Sequence, residues 1–299
     1  MMPSSTFFTT APHWQWLIIL YFFFGGLAGG TYFLAALLDL FGRPGDRPLA
    51  RLGYYIAFPC VLLCGPLLIL DLSRPDRFWH MLVARNTFEP MFKLWSPMST
   101  GSWALAIFGF FALVSFVTAL AEEDRLRWPW VRKFRLPKPT CCGIAIIGGI
   151  FGFFVAGYTG VLLAVSNRPI WSDTPLLGLL FIVSAASTSA ALMLLLAHRR
   201  GWHMPGLAKL HRMDTLMLAL ELVVLIAVMV SLGPVLVAWL NAWGLLLLFG
   251  VVLPGLVVPL VASWRPGWLP RVTVATSAIL VLAGGFLLRV VVVMSSETL

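Results

Sequence analysis

A small set of polar side chains lies within or at the ends of long apolar stretches, where ionisable groups are costly and usually functional. The set combines phenols, a carboxylate, an amide and two arginines: Tyr21, Asp71, Tyr158, Asn167, Arg168 and Arg289. Hydrogen-bond donors, a carboxylate that exchanges protons and apolar walls together suit a quinone headgroup and its tail. If the helices that carry these residues meet, the set predicts a quinone pocket near the outer face of a membrane.

The same residues also fit a purely structural interpretation. Tyrosine and tryptophan are enriched where a bilayer meets water, and Asp71 would then only form an ion pair with Arg74 or Arg77. The residue types alone leave both interpretations open.

A second group of polar residues lies towards the opposite side of the membrane: Asp39, Asp214 and Glu221, with Ser184, Ser187, Thr188 and Ser189 across the middle of the fifth apolar run. Glu221 lies about two turns inside the sixth run, roughly 12 Å from its start at 1.5 Å per residue. Such groups predict a proton path from the cytoplasm, with Glu221 as its best candidate. In the alternative interpretation these residues cap helices or bond to a neighbouring helix. Asp39 and Asp214, which lie near the ends of their predicted spans, would have such a role.

The composition indicates a lipid environment. Hydrophobic residues make up 60% of the 299 residues and charged residues 11%, against roughly 45 to 50% and about 25% in soluble domains. Eight apolar runs are long enough to cross a bilayer as helices: 14–41, 52–72, 100–121, 141–166, 174–197, 213–232, 241–262 and 272–294. They are too long and too uniformly apolar for the strands of an outer-membrane barrel. We therefore predict an all-α integral membrane protein, a single polytopic domain over residues 1–299 with eight transmembrane helices packed as bundles.

The distribution of positive charge predicts the orientation of the chain. Connections on one side of the predicted spans hold 15 Lys and Arg residues, whereas the termini and connections on the other side hold 5. Because cytoplasmic loops carry the excess of positive charge, both termini should face the periplasm of a bacterial inner membrane. The net charge of +9 is then explained by anionic lipid rather than nucleic acid. The densest basic run, residues 125–139, is expected to be a lipid-facing loop.

The beginning of the chain predicts a retained helix. No Lys or Arg precedes the first apolar run. The run is also longer than the apolar core of a signal peptide, so we expect it to remain in the membrane.

The histidines argue against a buried haem. His13 and His80 lie outside the predicted spans, and His198, His203 and His211 share one loop. No two of them are placed to ligate a haem between facing helices.

The cysteines likewise lack the spacing of an iron–sulfur site. Cys60 and Cys64 lie one turn apart in the second run, and Cys141 and Cys142 are adjacent at the start of the fourth. Clusters need about four thiolates at recurring close spacings, so apolar packing is the expected role of all four. We expect no haem, no iron–sulfur cluster and no metal site in this chain.

Two further stretches have predicted roles in packing and docking. "GGLAGG", residues 25–30, contains two overlapping G-x-x-x-G registers, which predict close packing of the first helix against a neighbour. The connection 73–98 is rich in aromatic, Arg and Pro residues. It is either a docking surface for a soluble partner or a segment that lies on the lipid headgroups.

Four stretches, read in order, resemble the NrfD/PsrC family of membrane subunits: "FGGLAGGTYFLAALLDLFG" (24–42), "LDLSRPDRFWHML" (70–82), "SPMSTGSW" (96–103) and "YTGVLLAVSNRPIW" (158–171). The resemblance implies a subunit without haem in a molybdopterin oxidoreductase complex. Such a subunit passes electrons between membrane menaquinone or ubiquinone and a ferredoxin-like iron–sulfur subunit, which connects to a molybdopterin catalytic subunit on the periplasmic side. The alternatives are a secondary transporter, or a structural anchor without a quinone site.

The resemblance also implies roles for individual residues. Tyr158 matches the family tyrosine of the quinone pocket, and Asp71 matches an acidic position near it that would relay protons. Tyr21 falls where some relatives carry a histidine that contacts the quinone; a tyrosine donates a hydrogen bond there but does not titrate near neutral pH. Asn167 and Arg168 match the motif and are expected at the quinone or at the helix end.

Two apolar runs end alike, in "SRPDRFW" (73–79) and "NRPIW" (167–171). Pro cannot continue a helix, Arg complements the negative C-terminal dipole, and Trp settles at the interface. These arginines nevertheless lie on the side where positive charge is scarce. We therefore predict that both endings border one outward-facing pocket, with helix termination as the competing explanation.

Overall fold

The computed structural model describes residues 14–123, 136–265, 268 and 273–297, and these residues form helices and connecting turns without a β-strand. The helices are α1 (Trp16–Phe41), α2 (Arg47–Asp71), α3 (Pro97–Glu122), α4 (Lys138–Ala164), α5 (Leu177–Arg199), α6 (Pro205–Leu232), α7 (Ala242–Leu246), α8 (Val258–Trp264) and α9 (Val274–Glu297). A π-helical segment, Leu247–Val257, joins α7 and α8 into one continuous span. Within the described ranges, eight segments are long and apolar enough to cross a membrane, which confirms the predicted all-α membrane fold.

Two of the predicted features fall outside this description. His13 lies outside the described residues, and so does the basic run from Arg125 as far as residue 135. The side of the membrane on which the termini lie stays a prediction.

Several helices are longer than the apolar runs that predicted them. Helix α2 begins at Arg47 instead of residue 52 and continues through Pro59 and Pro66. Helix α6 begins at Pro205 instead of residue 213. Hydropathy detects only the apolar part of a helix, so it does not detect a first turn that contains polar residues.

Helix α1 lies at the centre of the molecule. It contacts α2, α4, α5 and α9, and it is one of the two most deeply buried spans, together with α5. Helices α1 to α4 form one bundle. Helices α5, α6 and α9 and the seventh span pack on the other side of α1.

The glycines of α1 allow this central position. Gly29 lies directly against the backbone of Gly152 in α4, and a Cβ at Gly29 would overlap the Gly152 carbonyl oxygen. Gly30 lies against Ser189 in α5 in the same way. The predicted close packing is confirmed, and the two G-x-x-x-G registers serve two different helices. In lipid, where apolar contact alone gives little drive, such backbone approach stabilises helix pairs through dispersion and weak polar contacts.

Charged residues close the first bundle at the end where α1 finishes and α2 begins, called here the Asp39 end. Arg47 forms an ion pair with Asp39 and a second with Glu122 at 2.6 Å. The Tyr54 hydroxyl donates to Asp39 at 2.8 Å. Asp39 therefore bonds to the neighbouring helix, as the alternative interpretation expected, and the network joins α1, α2 and α3. The opposite end of the bundle is called the cavity end.

The packing of Gly29 predicts a large effect from one methyl group. Gly29→Ala should lower the thermal unfolding temperature of the detergent-purified protein, because the backbone of Gly152 cannot move aside as a side chain would. Overpacking of this kind costs about 1 to 3 kcal/mol. Gly143→Ala, on α4, is the matched control, since a Cβ there meets no atom within 4 Å. Equal unfolding temperatures for the two variants would contradict the close approach of α1 and α4.

Candidate functional site

A cavity of about 480 Å³ opens at the cavity end of the first bundle, between α1, α2, α3 and α4. Its walls are mainly apolar, and the short 3-10 helix Pro75–Met81 supplies Phe78 and Met81 to the outer side. The volume lies within the range of about 300 to 1,000 Å³ that is typical of small-molecule sites. Leu62 lines the cavity and is 61% exposed, so the cavity reaches the lipid-facing surface of α2.

Tyr158 lines this cavity from α4. Its ring packs directly on Gly101 of α3, where a Cβ would occupy the position of the phenol. It also stacks on Phe154, with ring centroids 5.8 Å apart. The Tyr158 hydroxyl forms no hydrogen bond with any described residue, so the donor is free to bind a molecule in the cavity.

Tyr21 lines the same cavity from α1. It shares one face of α1 with Ile18, three residues earlier, and Trp14 lines the same cavity from just before the helix begins. The Tyr21 side chain is buried, and its hydroxyl also forms no hydrogen bond within the described part of the chain. Two unpaired phenol donors therefore line one apolar space from different helices.

Asp71 completes the polar lining. It is the last residue of α2 and is half-buried at the cavity wall. Within the described ranges Asp71 forms no ion pair, and Arg77 instead lies 3.8 Å from Asp76. The predicted pairing of Asp71 with Arg74 or Arg77 is therefore not found, and the carboxylate is available at the cavity.

The stretch "SPMSTGSW" builds the α3 wall. Ser96 caps α3 by accepting from the Ser99 amide, and the Trp103 indole donates to the Met91 carbonyl at 3.0 Å, which ties the connection 73–98 to α3. Sequence reasoning assigned no site role to the small residues of this wall: Gly101, Ser102, Ala106 and Gly109. The spacings of four and three residues from Ser102 to Ala106 and Gly109 are the signal that indicates a cavity-lining face.

Asn167 and Arg168 do not line the cavity. Asn167 is exposed, and Arg168 forms an ion pair with Glu297 of α9 at 3.0 Å. Helix α4 ends at Ala164, and the turn after it carries these side chains towards α9 and away from Tyr158. The end of α2 therefore borders the cavity as predicted, whereas the "NRPIW" turn does not.

Arg289 lies on the other face of α1. It is 1% exposed and donates to the Phe22 carbonyl and to the Ser184 hydroxyl, both at 3.2 Å. Its depth in the membrane predicted that Arg289 would lie beside Tyr21. The two side chains instead lie on opposite sides of α1. Arg289 belongs instead with the second group of polar residues.

Glu221 connects to this second group. The Ser187 hydroxyl donates to Glu221 at 2.6 Å and lies within hydrogen-bond distance of the Ser184 carbonyl, at 3.1 Å. Arg289, Ser184, Ser187 and Glu221 thus form a buried polar chain from α9 through α5 to α6. The Thr188 hydroxyl lies within hydrogen-bond distance of the backbone carbonyls of Ser184 and Ala185, and Ser189 donates to the carbonyl of Leu27.

Asp214 lies seven residues before Glu221, about two turns nearer the Asp39 end on the same face of α6. It is buried, and one of its carboxyl oxygens has no hydrogen-bond partner in the described structure. A buried carboxyl group without a partner is costly, so protonation or an internal water molecule is expected to satisfy it. Asp39 is not part of this chain, because it pairs with Arg47 at the end of the first bundle.

The residues at the first cavity fit a quinone. Two free phenols match its carbonyl oxygens, a carboxylate lies at the wall, and the lining extends to the lipid-facing surface where an isoprenoid tail would leave. A second cavity, of about 670 Å³, lies between α6 and the seventh span, but its lining has no titratable side chain and only Asn241 and Trp239 carry polar groups. Of these two cavities, the first has titratable side chains in its lining and the second has none.

The chain is similar in sequence to known proteins along almost its whole length. Residues 5–299 match the sequence profile of the family described as polysulphide reductase, NrfD. Identity is 28% with protein NrfD of Escherichia coli strain K12, over 94% of both chains. It is also 28% with a chain of the polysulfide reductase of Wolinella succinogenes, over 95% of this protein and 94% of that one. A subunit of the selenate reductase of Mesobacillus selenatarsenatis is 27% identical over 73% of this protein and 57% of its own length.

Proposed function

This chain belongs to the NrfD family, and we propose that it is the quinone-reactive membrane anchor of a respiratory oxidoreductase complex. It is a multi-pass membrane protein with eight spans. The observation that carries the proposal is the apolar cavity lined by Tyr21, Asp71 and Tyr158.

The proposed chemistry assigns one task to each residue of the cavity. A bound quinone or quinol supplies two-electron, two-proton redox chemistry. Tyr21 and Tyr158 donate hydrogen bonds to its oxygen atoms, which orients the ring. Asp71 exchanges a proton at its carboxyl group and passes it to water, because it lies at the end of α2 and is only partly buried.

The partners follow from the relatives. Two of them are named as parts of polysulfide and selenate reductases. We propose that this chain likewise joins a ferredoxin-like iron–sulfur subunit and a molybdopterin subunit, and exchanges electrons with the former. Those subunits would lie on the periplasmic side of a bacterial inner membrane, facing the cavity end and both termini. The connection 73–98 covers the cavity on that side and is the proposed docking surface.

Purification separates this proposal from the alternatives. A chain that brings down iron- and molybdenum-containing subunits fits a respiratory complex. A chain that purifies alone and binds a solute fits a transporter. A complex that assembles but whose clusters do not respond to quinol fits a structural anchor.

Removing one group at a time from the cavity tests the proposed roles. Tyr158→Phe should slow reduction of the partner's iron–sulfur clusters by an added naphthoquinol by roughly five- to tenfold, because a lost hydrogen bond costs about 1 kcal/mol. Asp71→Asn should slow it by roughly a hundredfold, since proton transfer by a positioned group contributes about that much or more. Cluster absorbance, followed by stopped flow, gives both rates.

Two matched variants are the controls for these measurements. Tyr32→Phe removes a buried phenol of the same bundle that bonds to Ser115 at 2.7 Å and does not line the cavity. Glu123→Gln removes a carboxylate at the Asp39 end of the same bundle, away from the cavity, where it forms an ion pair with Arg51. Rates for Tyr158→Phe and Asp71→Asn that equal those of the controls would refute the site assignment.

We propose a second, separate role for the buried polar chain from Arg289 to Glu221 and for Asp214, two turns away from it: together they form a path that carries protons from the cytoplasm into the membrane. The observation that supports it is the unpartnered oxygen of Asp214, two turns from the hydrogen-bonded Glu221. A carboxyl group in such a position accepts and releases a proton with few other interactions to break. Asp39, which the sequence placed in the path, is left out because Arg47 and Tyr54 bind it.

The proton path predicts a selective loss. In liposomes that contain the whole complex, Glu221→Gln and Asp214→Asn should abolish quinol-driven proton uptake from the Asp39 side, while quinol oxidation continues within about twofold, a change worth less than about 0.5 kcal/mol. Glu123→Gln, a carboxyl group at the Asp39 end of the first bundle that pairs with Arg51, is the control. Unchanged proton uptake in both path variants would show that these carboxyl groups only stabilise the fold.

A further inference from the structure

The "NRPIW" turn does not reach the quinone cavity, yet it is held by several specific bonds. It contacts the cavity indirectly, through Trp14 at the beginning of the described chain. Trp14 lines the cavity next to Ile18 and Tyr21 and is 7% exposed. The Trp14 ring stacks on Trp171 with centroids 5.4 Å apart and an angle of 20° between the planes.

A single carboxylate holds this tryptophan and the turn together. One oxygen of Glu297 accepts from the Trp14 backbone amide at 3.0 Å, and the other accepts from Arg168 at 3.0 Å. The Arg168 and Glu297 side chains are only 11% and 13% exposed. An ion pair so protected from water fixes geometry more firmly than a pair on the open surface.

The turn itself is held rigidly beneath Trp14. Ile170 has φ of +69°, a conformation that β-branched residues rarely adopt, and Asp173 accepts from the Ile170 amide at 2.8 Å. Trp171 is completely buried, and its indole donates to the Val292 carbonyl at 2.7 Å. Such a strained backbone persists only where its surroundings over-determine it, and here the effect is to present the Trp171 ring to Trp14.

We propose that Trp14 is the outer wall of the quinone cavity, and that Arg168 and Glu297 are positioning residues that hold it there. The inference rests on the proposed quinone function and adds to it three residues outside the phenol and carboxylate set. Arg168 then acts at a distance from the quinone, through Glu297 and Trp14. Arg168 of the "NRPIW" turn therefore helps to hold the wall of the cavity in place and takes no part in the redox chemistry.

A double-mutant cycle on the purified complex, with a water-soluble naphthoquinol as the probe, tests this arrangement. Trp14→Ala should raise the KM for naphthoquinol roughly tenfold and leave kcat within about twofold, because it removes binding surface and no reacting group. Glu297→Ala should raise KM by roughly three- to tenfold. The double variant should match Trp14→Ala alone, since residues that act through one contact are not additive. Trp14→Phe, which keeps a stacking ring, should fall between wild type and Trp14→Ala.

Other results of these measurements would contradict either the positioning role or the quinone function. If the KM effects of the two single variants multiply in the double variant, the positioning role is overturned. A KM for Glu297→Ala equal to that of the control Glu123→Ala, at the Asp39 end of the first bundle, would overturn it as well. A lower unfolding temperature with unchanged KM would show that the clamp is only structural. If the wild-type complex does not oxidise naphthoquinol, the proposed quinone function itself fails, and the positioning proposal fails with it.

Discussion

The close approach of the α1 backbone to two neighbouring helices is the constraint on which the rest of the structure depends. Gly29 meets Gly152 of α4 on one side, and Gly30 meets Ser189 of α5 on the other. Lipid offers no strong apolar drive for helix association, so contact of this closeness has to come from small residues. Larger side chains at either register would separate α1 from one of its two partners.

Because α1 lies between two groups of helices, residues that are adjacent in its sequence contact different groups. Tyr21 lines the cavity of the first bundle, whereas the carbonyl of the next residue, Phe22, accepts from Arg289. The cavity is mostly apolar, with unpaired phenols that can bind a ligand. On the other side the Arg289 guanidinium is bonded to a hydroxyl and to backbone carbonyls, as a buried charge requires. One helix thus separates a space for a small molecule from a chain of buried polar groups.

Sequence reasoning predicted the parts of this arrangement that depend on depth in the membrane. Hydropathy, glycine spacing and motif order are enough to predict the eight spans, the close packing of residues 25–30, and the placement of Tyr21, Asp71 and Tyr158 near one end.

Sequence reasoning failed where a contact depends on the direction in which a side chain points around the helix axis. Arg289 was placed with Tyr21 by depth but faces the other group of helices. Arg168 follows a helix end whose turn carries a left-handed Ile170, and a linear motif does not reveal that turn. Nothing in the sequence shows that Glu297, at the opposite end of the chain, binds the amide of Trp14, because contacts of this range depend on tertiary packing alone.

The central claim, that quinone binds in the cavity of the first bundle, is tested most directly by a photoreactive azido-naphthoquinone and peptide mapping of the labelled protein. Label is expected on peptides that contain the cavity lining of α2 and α3, within residues 58–72 and 98–109. Unlabelled naphthoquinone should compete, and Gly109→Leu, which would fill the cavity, should remove the label. Label confined to residues 222–252, around the larger cavity without titratable groups, would contradict quinone binding in the first bundle.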